Sequence, residues 1–401
     1  MNQESLRDLK FIFALFLTLC VVADCSGFFM KGESSMIINK KYESIVFDES
    51  DMNFVSKFGI QEATDMVFDY LSTNKTPFIY DVFQLADYLQ IKLPKLFRLV
   101  NKADELYSNV VIKKRNKSDR ILSVPDYYLG SVQKRINRKI LSKIDISKYA
   151  TAYYKGSNLL KNVENHCGKK NILKMDITDF FSSITFGMVL SSCFNTSRFP
   201  RNIGYMLTTL CCKDDCLPQG TSTSPALSNI VMKKFDDILG NWCEKRGISY
   251  TRYCDDLTFS SDEDLYPVYV KAKSMLNDMG FQVNEKKTHF IKNSNRQEVT
   301  GIVVNDHPQL SRDYRRKLRQ ELYFVFKYGI KDALEHINKK EVSNKEIYSY
   351  ACQLSSKISY VLFINPNDME FISHKQKMNE ILKNAKFDDD FHIKEFNGYI
   401  F

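Results

Sequence analysis

Apolar positions along this 401-residue chain fall into blocks whose spacing switches between helical and extended. From about 60 to 105 the spacing is helical. Ala63, Met66, Val67, Tyr70 and Leu71 recur on one face, then Val82, Leu85, Ala86 and Leu89, then Leu96, Leu99 and Val100, with Pro77 and Pro94 as punctuation. Two β-branched runs follow, 109–113 and 120–124. The polar, basic stretch 114–119 joins them and predicts a hairpin tip. Beyond Pro125, residues 129–144 predict a basic amphipathic helix with Leu129, Val132, Ile136, Ile140 and Leu141 inward. Residues 171–175 predict a buried strand that runs into Asp176. The span 217–225 reads as a loop, and 226–242 as a helix with Leu227, Ile230, Val231, Phe235 and Ile238 inward. Residues 248–260 read as two strands around a tight turn, and 268–279 as a further helix. After Pro308 the pattern stays helical to about 385. Helices and strands in this order, without regular βαβ alternation, predict an α+β fold with an antiparallel sheet.

Composition adds a packed core, with 44% hydrophobic and 26% charged residues, and no low-complexity tract or repeat. The net charge of +9 suits a partner with a phosphate backbone, where Lys and Arg displace condensed counterions. Ten cysteines are scattered. Cys211, Cys212 and Cys216 cluster, but no CxxC pair recurs and no His stands at finger-like spacing, which argues against zinc. Free thiols in a chain of this size suggest a reducing cytosol.

Three pieces carry the chemistry. Asp176 ends an apolar strand and is followed by Asp179 and Phe180–Phe181. Leu217-Pro218-Gln219-Gly220 has Ser224-Pro225 and Asn229 behind it. Tyr253-Cys254-Asp255-Asp256 lies in the turn of an apolar hairpin. Adjacent carboxylates in such a turn repel one another unless cations occupy the site. Two divalent ions about 3.5–4 Å apart stabilise the attacking and leaving oxygens of phosphoryl transfer. Magnesium takes hard oxygen ligands and few carboxylates. Asp176 supplies the third carboxylate if its strand neighbours the hairpin. Two further acidic pairs, Asp214–Asp215 and Asp236–Asp237, read as solvated surface.

These motifs resemble the palm of reverse transcriptases of the bacterial retron type, within the group II intron and retron superfamily. Asp176 to Phe181 resembles motif A, Leu217 to Pro225 with Asn229 motif B, Tyr253 to Asp256 the YxDD box of motif C, and Asn284 to Thr288 motif D. Val299-Thr300-Gly301 with Val304-Asn305 resembles the retron segment after motif D. Asn162 and His166 resemble the retron NAxxH element, with Val163 in place of Ala. The resemblance spans roughly residues 80 to 330. It implies a right-hand polymerase of fingers, palm with antiparallel sheet, and helical thumb. The implied divisions are an extension over 1–60, helices and fingers over 61–175, a palm over 176–305 with part of the fingers interleaved, and a thumb and tail over 306–401.

The resemblance also implies roles. Asp176, Asp255, Asp256 and the Ile177 carbonyl would hold two Mg²⁺, with Mn²⁺ as a substitute. Phe181 would be the steric gate under the sugar, beside Asp179 and Phe180; its alternative is a core ring. Gln219 and Gly220 would border the nucleotide and template base. Arg120 would hold the triphosphate, with Lys113 or Lys114 assisting, or else is a surface hairpin charge. Lys287, with Lys286 as rival, would donate a proton to pyrophosphate. Asn162, His166, Val299, Thr300 and Gly301 would face structured RNA; His166 has a plain structural role as its alternative, and Val299 to Gly301 a simple strand turn. Arg312, Arg315, Arg316 and Arg319 fall on one helical face and would grip the template–primer duplex as the thumb begins; their alternative is a solvated face.

Two departures stand out: Ala152-Tyr153-Tyr154 where retrons usually carry Gly-Phe, and Cys254 where Ala or Met is commoner.

The expected partners are a cognate non-coding RNA serving as template and primer, its DNA product, dNTPs and a separate effector protein in antiviral defence, with no stable membrane partner. Another defence-associated or group II intron-like reverse transcriptase is the alternative, and a catalytically idle RNA-binding protein the non-enzyme reading. The apolar run Phe11 to Ala23 behind Arg7 and Lys10 is the misfit. It is signal-like, and short for a spanning helix of about 20 residues. It reads as a buried or membrane-touching helix, an export signal, or sequence upstream of a start at Met30 or Met36. The last is favoured because an exported polymerase has no nucleotides, so a cytoplasmic location is expected.

Overall fold

A computed structural model of the chain describes residues 36–38, 45–47, 70, 75–113, 119–338 and 341–384. The apolar run 11–23, most of the helical pattern around 63–71 and the hairpin tip with Lys114 lie outside the described residues.

Strands β1 (Met36–Ile38) and β2 (Ile45–Phe47) pair with each other. Two helices follow, α1 (Val82–Tyr88) and α2 (Leu93–Asn101). Asp81 caps α1 by accepting from the Gln84 amide, and Pro94 sits in the first turn of α2, where its missing N–H costs nothing. The predicted hairpin is β3 (Tyr107–Lys113) with β4 (Asp119–Pro125). It stands away from the core: Val110, Val111, Ile112 and Ile121 are all exposed. Asp126 caps α3 (Tyr127–Lys139), whose expected inner face is buried.

After the short α4 (Leu159–Val163) comes β5 (Asn171–Asp176), then α5 (Phe180–Ser183), α6 (Phe186–Ser192) and α7 (Arg201–Thr209). The long α8 (Ser224–Glu244) begins two residues before its predicted start, with Pro225 in its first turn. Ile238 on α8 is exposed, contrary to the inward assignment. The tight turn is flanked by β6 (Ser249–Tyr253) and β7 (Asp256–Ser261), followed by α9 (Tyr266–Asp278), β8 (His289–Lys292), and the two-residue strands β9 (Glu298–Val299) and β10 (Ile302–Val303). The C-terminal region is helical as expected: α10 (Arg312–Tyr328), α11 (Ile330–Asn338), α12 (Asn344–Ile364) and α13 (Met369–Asn384). Ser343 and Glu346 form a reciprocal capping box at the start of α12.

The central sheet has the order β6-β7-β5-β8, with every pair antiparallel, as the α+β reading requires. Side chains alternate along β5. Leu173 and Met175 enter the core shared by α3, α8 and β7, while Ile172 enters a second core formed with α10 and α12. Asp176 lies on the same side as Ile172, at the far end of the strand. Among the described residues, no helix is long and apolar enough to cross a membrane. Eight cysteines lie among them and all are free.

Candidate active site

Strand pairing sets the geometry. Asp176, the last residue of β5, lies directly opposite Asp256, the first of β7. Such cross-strand partners hold their Cβ atoms about 4.5–5.5 Å apart. One backbone bond ties Asp255 to the same spot, the Ile177 amide donating to its carbonyl at 3.1 Å. Asp176, Asp255 and Asp256 thus converge from segments about eighty residues apart. Ile177 itself is buried. Cys254, in the turn, takes φ +63°, a left-handed conformation uncommon for a side chain other than glycine.

Burial, and then the charges of Asp255 and Asp176, push the Asp256 carboxyl up to about 6. Lys287 donates from Nζ to Asp176 Oδ2 at 2.8 Å, and that bond raises the lysine's own pKa. An ammonium therefore pairs with one carboxylate, while Asp256 stays raised by burial and by its two acidic neighbours against the smaller opposing pull of Lys174 and Lys287. Among the described residues no three or more His, Cys, Asp or Glu side chains are grouped, as placed, so that they could hold a metal ion. The donors are hard carboxylate oxygens, the type magnesium takes.

Phe181 is half-buried, whereas Phe180 is only 3% exposed and lies against Phe281. The assignment of Phe180 to the nucleotide side is therefore corrected: its ring belongs to the core. Asp179 is exposed and left-handed (φ +45°) at the start of α5. Arg120 is exposed on β4 opposite Ile112, Lys113 pairs with Asp119 at the hairpin end, and Lys286 is exposed beside Lys287.

Gly220 is held against the hairpin. At φ +114° it lies against β4, where an added Cβ would meet the Ser123 carbonyl oxygen at 3.1 Å and Leu122 Cβ at 3.3 Å. The neighbouring Gln219 carbonyl accepts from the Ser123 amide at 2.7 Å. This glycine lets the motif B loop press against the hairpin.

The retron-like elements meet in space but are mostly buried. His166 is fully buried, with Nδ1 against Ser260 Oγ at 2.7 Å and Nε2 against Thr251 Oγ1 at 2.8 Å. Its ring joins the chain after α4 to the central sheet and cannot touch RNA directly, which supports the structural alternative. Asn162 is buried too, and its carboxamide accepts from Thr151 Oγ1 at 2.8 Å and donates to Thr300 Oγ1 at 3.4 Å. Val299 is wholly buried. Thr300 and Gly301, both at positive φ, form the tight turn between β9 and β10 and remain accessible. Direct RNA contact is thus withdrawn from Asn162, His166 and Val299 and remains open to Thr300 and Gly301.

The arginine stripe on α10 divides. Arg315 donates to Asp368 at 2.6 Å and Arg319 to both oxygens of Glu370 at 2.6 and 2.8 Å, so two of the four are engaged with α13 and its approach. Arg312 and Arg316 are exposed.

Sequence reasoning missed one feature outright. Asp236, expected at the surface, is fully buried and ion-paired with Arg252, itself fully buried on β6. The signal was present: an arginine at a position where strand alternation points inward. Asp237, its neighbour, is half-buried, and Asp214 and Asp215 are exposed as expected.

Comparison with known proteins agrees with this geometry. Residues 112–304 match the family model described as reverse transcriptase (RNA-dependent DNA polymerase). The retron Ec86 reverse transcriptase of Escherichia coli is 29% identical over 281 residues, 67% of this chain and 87% of that one. The retron Se72 reverse transcriptase of Salmonella heidelberg is 30% identical over 266 residues, 64% of this chain and 70% of that one. The chain belongs to the retron reverse transcriptases. It is an RNA-directed DNA polymerase. The retron Mx65 reverse transcriptase of Myxococcus xanthus is 28% identical over 68% of this chain and 64% of that one. Among solved structures, telomerase from Candida albicans superposes with a TM-score of 0.40 at 11% identity, over 86% of this chain and 70% of that one.

Proposed function

We propose that this retron reverse transcriptase makes DNA at the cluster of Asp176, Asp255 and Asp256, with two divalent cations, Mg²⁺ or Mn²⁺, held by these carboxylates and the Ile177 carbonyl. The observation that carries the reading is the direct cross-strand opposition of Asp176 and Asp256, with Asp256 pushed up to about 6 by burial and then by the charges of Asp255 and Asp176. Reverse transcriptases generally use divalent ions. Bound here, the ions would stabilise both the attacking and the leaving oxygen. The chain's own groups do the rest. Phe181 lies under the sugar and excludes a 2′-hydroxyl. Arg120 holds phosphate, Gln219 borders the new base pair, and Lys287 supplies a proton to the departing pyrophosphate. Residues 61–175 serve as N-terminal helices and fingers, 176–305 as palm with part of the fingers interleaved, and 306–401 as thumb and C-terminal tail.

The template in this reading is a structured non-coding RNA that primes from its own 2′-hydroxyl, giving branched single-stranded DNA. A role in antiphage defence with a separate effector rests on kinship alone. Replacing Asp255 and Asp256 together by Ala should lower primer extension with dNTPs and Mg²⁺ by about a thousandfold or more, with RNA affinity unchanged. Residual synthesis near the parental rate would end the metal reading. Sequencing of co-purifying nucleic acid should show a branched RNA–DNA; linear product alone would overturn priming from a 2′-hydroxyl.

A further inference from the structure

The turn that carries Asp255 and Asp256 contains a conformational problem, since Cys254 sits at φ +63°. Its backbone needs an external restraint, and one lies directly beneath it. Arg252 on β6 is fully buried, on the side of the strand turned toward α8. Its Nε donates to Asp236 Oδ1 at 2.9 Å and its Nη2 to Asp236 Oδ2 at 2.6 Å. Nη2 also reaches Asn229 Oδ1 at 3.1 Å. The remaining nitrogen, Nη1, donates to the carbonyl of Cys254 at 3.0 Å. The fork is fixed from behind as well. The Tyr250 hydroxyl donates to Asp236 Oδ1 at 2.8 Å, and Asn229 donates to the Ala152 carbonyl at 2.7 Å.

Stability alone does not account for this arrangement. A buried ion pair gains little over apolar side chains of the same volume. A guanidinium, though, is a rigid planar donor array that can engage a carboxylate along one edge and a third acceptor along another, which an ammonium cannot match. We propose that Arg252, locked by Asp236, is a positioning residue of the catalytic turn. By holding the Cys254 carbonyl it maintains the left-handed backbone from which Asp255 and Asp256 reach the open side of the sheet. A second restraint reaches the same residue from the other side, where the Tyr153 hydroxyl donates to Cys254 Sγ at 2.9 Å. The inference rests on the reading of Asp255 and Asp256 as metal ligands.

Two variants of the full chain test it. Arg252→Lys keeps a cation beside Asp236 but loses the fork. Asp236→Asn combined with Arg252→Gln removes both charges together, so that neither is left buried alone. Each is measured for melting temperature, RNA affinity, calorimetric Mn²⁺ binding in the absence of nucleotide, and kcat and KM for dNTP on the RNA complex. The expected result is parental RNA affinity, with Mn²⁺ affinity and kcat each lowered by about 10–100-fold, the range for groups that orient metal ligands. A purely structural role would lower the melting temperature and leave Mn²⁺ affinity and kcat of the folded protein unchanged. That result in whichever variant folds overturns the proposal. Asp255→Asn runs alongside to separate the two ideas. If it retains synthesis, the metal reading fails. If it abolishes synthesis while the Arg252 variants bind Mn²⁺ and turn over as the parent does, only the positioning role fails.

Discussion

His166 shows how far one side chain can depart from its sequence motif. Both ring nitrogens are taken by hydroxyls of the central sheet, and burial depresses its pKa to about 3. The unfolded chain returns it to about 6.5. Below that pH the unfolded state takes up a proton that the folded state refuses until about 3. Stability is therefore full above about pH 6.5 and falls on acidification through that window. At pH 5 the loss is about 2 kcal/mol. His166→Gln should flatten melting temperature against pH between 7 and 5 relative to the parent; parallel curves would show that the ring titrates normally. The residues most legible in the sequence were the acidic ones, because a carboxylate at the end of an apolar strand has few ordinary explanations. Arg252 was legible only as an arginine at an inward strand position; Asp236 was not legible as its partner, since an Asp–Asp pair on a helix looks the same whether or not one member faces a buried cation.

Among elements, the hairpin of β3 and β4 was readable almost to its ends because β-branched runs and a polar tip mark it. The helices α5 to α7 were not; α5, at four residues, is too brief for a helical period to emerge. Nor could the sequence tell that the motif B loop is pressed onto β4 through Gly220. Gly220→Ala forces a Cβ to within about 3.1 Å of a carbonyl oxygen and onto a left-handed backbone, a strain of about 1–3 kcal/mol. The loop must then part from the hairpin. KM for dNTP should rise by about tenfold with RNA affinity unchanged. An unaltered KM, measured with the melting temperature alongside, would show that the joint does not shape the nucleotide pocket.

At the scale of the whole molecule, the net charge of +9 pointed to a polyanion but not to where it binds. Helical spacing put four arginines on one face, and only tertiary packing could show that Arg315 and Arg319 are committed to Asp368 and Glu370. Replacing Arg312 and Arg316 by Ala should weaken template–primer binding and reduce the slope of log affinity against log salt by about 2, without lowering the melting temperature. Arg315→Ala should do the reverse, costing about 1–3 kcal/mol of stability by stranding the buried Asp368 carboxylate. An unchanged salt slope in the first variant would place the duplex elsewhere. The two cores meet at β5, where Ile172 anchors the C-terminal helices and Asp176 stands on the same side. A slip of one residue in this strand would turn both to the wrong side at once. A mis-threaded chain would thus lose the seat of its C-terminal helices together with the convergence of its carboxylates.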